Sequence, residues 1–120
     1  MEERLSANLF VRELARRRRV MLLGGLAVIA HGHERKTKDV DIWLEPLTDA
    51  ASWAAQITAV FDELQAGRFW SLQNNNILRP DEVAADVVAT GVVRVTDFDR
   101  DIDVFRKPNE LSVTDFDRVW

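Results

Sequence analysis

Apolar positions along this chain change their period several times, and the changes mark its elements. Leu5, Leu9, Val11 and Leu14 recur near helical spacing, which predicts a helix from Glu2 to Arg18. Early glutamates suit the N-terminal end of such a helix, and late arginines suit its C-terminal end. Val20 to Leu23 is a short apolar run, predicted as a buried strand and stopped by Gly24-Gly25. Leu26 to His31 reads as a short helix ended by Gly32, and His33 to Lys38 as a polar, basic loop. Val40 to Leu44 is predicted as a strand, closed by Glu45-Pro46.

The second half continues in the same way. Thr48 or Asp49 caps a helix running to Leu64, with Ala50, Ala51, Trp53, Ala54, Ile57, Val60, Phe61 and Leu64 on its apolar face. Gly67 to Asn76 shows no clear period, and Asn74-Asn75-Asn76 marks a turn. Pro80-Asp81-Glu82 starts a helix through about Val88. Gly91 leads into a strand, Val92 to Thr96; Asp97 to Arg100 turns; Asp101 to Phe105 returns as a second strand of a hairpin. Ser112 or Thr114 caps a last short helix that runs into Trp120. Helices interleave with strands, so the expected class is α/β (α+β), a mixed sheet flanked by helices.

Bulk properties narrow the function classes. A chain of 120 residues fits one compact domain spanning 1–120, and 47% hydrophobic with 30% charged residues is ordinary for a globular protein. A net charge of −4 argues against coating nucleic acid by bulk charge, while leaving room for a local basic patch. The absence of cysteine excludes disulfides and thiolate metal sites. No apolar stretch is long enough to span a bilayer, and the N-terminus lacks the apolar region of a secretory signal, so a cytoplasmic protein without membrane contact is expected.

Candidate chemistry concentrates in a few places. Residues two apart on a strand share a face, so Asp39, Asp41 and Trp43 project together. Two carboxylates at the end of a buried strand repel each other and lose hydration, and a hard divalent cation relieves both costs. Asp103, in Ile102-Asp103-Val104-Phe105, repeats the pattern on another strand. A third carboxylate from a neighbouring strand would complete a site for two cations. Asp101 has the same parity and competes for that role, and a plain acidic hairpin explains both. Gly24-Gly25 before a helix allows backbone N–H groups to approach a phosphate, although a tight turn alone also demands glycine.

Arg35, Lys36 and Lys38 just precede the acidic strand. They suit a triphosphate or a nucleic-acid backbone, with solvated loop charge as the plainer reading. His31 fits a helix C-terminus better than a metal site. Arg16 to Arg19 read most simply as a solvated helix end, and Trp43, Trp53 and Trp70 as core residues.

In order, these residues are Gly24-Gly25, His31-Gly32, Arg35, Thr37, Asp39-Val40-Asp41-Ile42 and Ile102-Asp103-Val104. That series resembles the nucleotidyltransferase-fold superfamily: a glycine pair, hydrophobic-Asp-hydrophobic-Asp, then a later single acid. More narrowly it is similar to AbiEii-type toxins and minimal nucleotidyltransferases of prokaryotes. The match is specific over Val20 to Leu44 and looser to Phe105. The resemblance implies Gly24 and Gly25 near the nucleotide phosphates, and two Mg2+ ions held by Asp39, Asp41 and Asp103. It implies transfer of a nucleotide from a nucleoside triphosphate to a hydroxyl of tRNA, another RNA or a protein, in a toxin–antitoxin context. A catalytically inactive binding module, antitoxin or scaffold, is the alternative. Many members carry Gly-Ser where this chain has Gly24-Gly25. Larger members add a C-terminal helical region, so an enzyme this short is expected to need a partner, a homodimer mate or a very open site.

Overall fold

Alternation in the five residues Val40–Leu44 governs the architecture. Val40, Ile42 and Leu44 enter the hydrophobic core, while Asp41 and Trp43 face the other side of their sheet. The computed structural model describes residues 4–23, 39–108 and 110–120. Over these residues the elements run α1 (Ala7–Ala15), β1 (Val20–Leu22), β2 (Val40–Leu44), α2 (Ala50–Leu64), β3 (Arg68–Ser71), β4 (Asn76–Leu78), α3 (Pro80–Thr90), β5 (Val92–Thr96), β6 (Ile102–Phe105) and α4 (Asp115–Val119). The predicted helix Leu26–His31 and loop His33–Lys38 lie outside the described residues.

The strands form one six-stranded mixed sheet in the order β1-β2-β6-β5-β3-β4. β2 and β6 are parallel, and every other neighbouring pair is antiparallel. One face is buried by α1, α2 and α3: Phe10, Leu14, Trp53, Ile57, Val60, Val83 and Val87 pack against Val40, Ile42, Leu44, Phe69, Val93, Val95, Ile102 and Val104. α4 lies on the opposite face, where Phe116 meets Trp43 edge-on at 5.1 Å. The class is therefore α+β, with helices flanking a mixed sheet. Among the described residues no helix is long and apolar enough to cross a membrane.

Several local expectations change. The first helix begins at Ala7 rather than Glu2, because Ser6 caps it: its hydroxyl accepts from the Asn8 N–H at 3.1 Å. A second acceptor, the Asp99 carboxylate in the β5–β6 turn, takes the Ala7 N–H at 2.7 Å and ties that turn to α1. β1 is an edge strand and is not buried; Leu22 is 75% exposed. The stretch without clear period holds the hairpin β3–β4, with left-handed Asn75 in its turn. Of the two candidate caps of α2, Thr48 and Asp49, the cap is Asp49, its carboxylate accepting from the Ser52 N–H at 2.6 Å. α3 ends on left-handed Gly91 (φ 82°), where an added Cβ would collide with the Lys107 carbonyl oxygen.

Arg19 departs from the expected solvated helix end. Its Nη2 lies 3.2 Å from Glu45 and 2.5 Å from Asp117, and its guanidinium carbon sits 5.2 Å and 5.5 Å from the ring centres of Phe116 and Trp120. One arginine thus fastens α4 to the β1–β2 corner by ion pairing and cation–π contact. Burial opposes ionisation of Glu45, but the hydrogen bonds and charge of Arg19 together outweigh it and hold that carboxyl below its ordinary range. The Ser52 backbone N–H lowers Asp49, and the Ser112 backbone N–H followed by Arg118 lowers Asp115.

A carboxyl depressed by folding contributes stability above its unfolded pKa, about 4, and loses it as pH falls through the lower folded value. The melting temperature is expected to stay level from pH 7 to about 5 and to fall progressively below about 4. Glu45→Gln should remove part of that fall. A thermal-melt series that stays level into the acid limb would contradict these assignments.

Candidate functional site

The outer face of the sheet, opposite the core, carries an acidic cluster, and strand register builds it. Asp41 on β2 stands directly beside Asp103 on β6, and Asp103 stands beside Arg94 on β5. Trp70 on β3 pairs with Arg94, and Ile77 on β4 pairs with Trp70. One cross-strand row therefore reads Ile77, Trp70, Arg94, Asp103, Asp41. Facing pairs in such a row approach to about 5 Å at their Cβ atoms.

Arg94 is the hub. Its Nε and Nη2 donate to the two oxygens of Asp103 at 2.8 Å and 3.1 Å, a bidentate pairing. Its Nη2 lies 4.0 Å from Asp39 and its Nη1 3.9 Å from Asp101. Its pKa is raised further above the ordinary arginine value, first by the hydrogen bonds with Asp103 and then by the charges of Asp103, Asp101 and Asp39, with burial working the other way. Asp41 is 5% exposed, whereas Asp39 and Asp103 are half-buried. Asp39 and Asp41 both make further interactions.

Asp41 and Asp103 thus share one face of two adjacent parallel strands, and Asp39, just before β2, reaches the same guanidinium. Asp101 belongs to the same cluster, and its carbonyl accepts from the Val40 N–H at 3.0 Å. The last described residue after β1, Leu23, donates its N–H to the Asp41 carbonyl at 2.9 Å. Leu23 therefore lies at the level of Asp41. Gly24, Gly25, Arg35, Lys36 and Lys38 themselves lie outside the described residues.

The donors are all carboxylate oxygens, which suits Mg2+ rather than a soft metal. Among the described residues, no three acids or histidines close into a ligand set as they stand. Both oxygens of Asp103 are turned onto a guanidinium. A cation held here would require Arg94 to release Asp103.

Sequence reasoning missed Arg94. Its signal was a lone arginine between Val93 and Val95 at the parity that faces Asp103 across a hairpin. Trp70 also differs from expectation. It is half-buried on the outer face rather than in the core, whereas Trp53 is a core residue and Trp43 is buried beneath Phe116. No protein-family model, no curated protein and no solved structure matches the chain.

Proposed function

We propose that this domain is a metal-dependent nucleotidyltransferase that moves a nucleotide from a nucleoside triphosphate to an RNA or protein hydroxyl. The observation that carries the reading is the pairing of Asp41 with Asp103 on parallel neighbours, with Asp39 on the same guanidinium and Leu23 hydrogen-bonded to Asp41. Asp39, Asp41 and Asp103 would hold Mg2+. When bound, Mg2+ would neutralise triphosphate charge and lower the pKa of the attacking hydroxyl. Released from Arg94, an Asp103 oxygen accepts the hydroxyl proton. The hydroxyl oxygen then bonds to the α-phosphorus as the bond to the β-phosphate bridging oxygen breaks, and pyrophosphate leaves in line. Backbone N–H groups of Gly24 and Gly25, with Arg35, Lys36 and Lys38, would bind the phosphates. A cytoplasmic toxin–antitoxin setting, with a toxin or antitoxin partner or a homodimer mate completing the site, belongs to the same proposal.

Arg94 favours a second reading. A guanidinium already balances the carboxylates, so a domain that keeps it there permanently would be a silent binding module. Isothermal calorimetry with Mg2+ and each nucleoside triphosphate tests the two. The enzyme reading expects saturable heat with at least one nucleotide, lost in Asp41→Asn while the melting curve keeps its cooperativity. Absence of heat with all four nucleotides would leave the silent module.

A further inference from the structure

Beside the acidic row the outer face opens into a groove of about 520 Å3. It is lined by Arg4, Arg68, Trp70, Ile77, Asp97 and Asp101, among others. Arg68 and Trp70 are two residues apart on β3 and share its outer face. Arg4 and Arg68 are exposed, and neither forms an ion pair among the described residues. Ile77, 52% exposed, stands next to Trp70 and extends the apolar floor. The groove thus combines an indole flanked by an aliphatic side chain, two positive charges with no ion pair among the described residues, and carboxylate acceptors.

We propose that this groove binds single-stranded RNA and leads its end toward Asp103, which makes RNA the acceptor; the inference rests on the transferase reading given above. Each component selects for that ligand. A half-buried tryptophan is held in place yet presents ring surface on which a base stacks, and bases of any sequence stack there. Arg4 and Arg68 meet phosphates. Asp97 and Asp101 accept hydrogen bonds, which ribose 2′-hydroxyls donate and deoxyribose does not. An acidic peptide would bring no planar base to stack on Trp70.

The register supplies the direction. Trp70 and Asp103 lie two strands apart in one row, roughly 10 Å at the usual strand spacing. A base stacked on Trp70 therefore leaves room for about one further nucleotide before the acids. The overall charge of −4 limits binding to this local patch and a short oligonucleotide.

Fluorescence anisotropy with a 5′-labelled mixed-sequence hexaribonucleotide, in low salt with EDTA and without triphosphate, tests the groove apart from the transfer reaction. Saturable binding with Kd below about 100 µM is expected. Trp70→Ala and Arg68→Gln are each expected to weaken it at least fivefold, and the matching deoxy-oligonucleotide to bind more weakly than RNA. Arg68 is exposed, so its replacement separates loss of binding from loss of folding; Trp70→Phe should retain most of the affinity. No binding, binding indifferent to both substitutions, or equal binding of a glutamate-rich peptide would each overturn the RNA groove. None of those outcomes bears on calorimetric heat from Mg2+ and nucleotide, so failure of the groove and failure of the transferase reading remain distinct.

Discussion

Replacing Arg94 with glutamine is expected to raise the affinity of this domain for Mg2+ or Mn2+ at least tenfold. Arg94 occupies both oxygens of Asp103 and sits within 4.0 Å of Asp39 and Asp101. A dication can use Asp103 only after those bonds break. A hydrogen bond to a charged group contributes about 1.5–3 kcal/mol, and the Arg94 and Asp103 side chains are only 26% and 14% exposed. About 1.4 kcal/mol corresponds to a factor of ten in affinity. Removing the guanidinium also leaves the clustered carboxylates repelling one another, which adds to the attraction for a cation. The variant should therefore melt below the wild type without metal and recover when metal is added, while the wild type responds less. Calorimetric titration of both forms with MnCl2, alongside their melting curves, measures the difference. Equal affinities, or no binding to either form, would remove the metal from the proposal and leave Arg94 as a permanent substitute for it.

Much of this arrangement was legible before the structure, for reasons that differ by element. β2, α2 and β5 emerge from sequence because each carries a sustained period and a local boundary signal: Pro46 after β2, Thr48 or Asp49 before α2, Gly91 before β5. The shared face of Asp39 and Asp41 follows from strand parity alone. That Asp103 stands beside Asp41 does not follow from parity. It requires β6 to lie parallel to β2, a pairing between segments about sixty residues apart, and nothing local specifies it.

The hairpin β3–β4 was illegible because its strands are only four and three residues long and begin with Arg68 and Asn76, which read as loop residues. Trp70 followed it into error: without a strand there was no parity to turn it outward. The overlong first helix has a related cause. Charge at Glu2 and Glu3 suggested a dipole, but the Ser6 hydroxyl and the Asp99 carboxylate, the latter remote in sequence, set the true start. Arg94 was visible yet unread. A single arginine in a strand ordinarily points to solvent, and only the β5–β6 register turns it toward Asp103. The residues that decide chemistry here are those whose partners come from other strands.

Trp53→Ala is expected to destabilise the fold by about 3–5 kcal/mol, the range for removing a large buried aromatic side chain. Trp53 is 0% exposed and sits at the centre of the helix face that covers β2. Its Nε1 donates to the Leu44 carbonyl at 3.2 Å, so alanine would remove both the packing volume and a buried donor. Against a total stability of about 5–15 kcal/mol, typical of single domains, that loss is a large fraction. Trp53→Phe separates the two contributions: it keeps most of the volume, loses the indole N–H, and should cost about 1–2 kcal/mol. The consequence reaches the acids because Val40, Ile42 and Leu44, which rest on this core, alternate with Asp41 and Trp43. A cavity beneath β2 loosens the strand that holds Asp41 against Asp103, so ligand affinity should fall in Trp53→Ala and persist in Trp53→Phe. Urea unfolding of the three proteins measures the stability terms. A Trp53→Ala midpoint close to wild type would mean that α2 does not seal this face of β2, and the parity that turns Asp41 outward would lose its support.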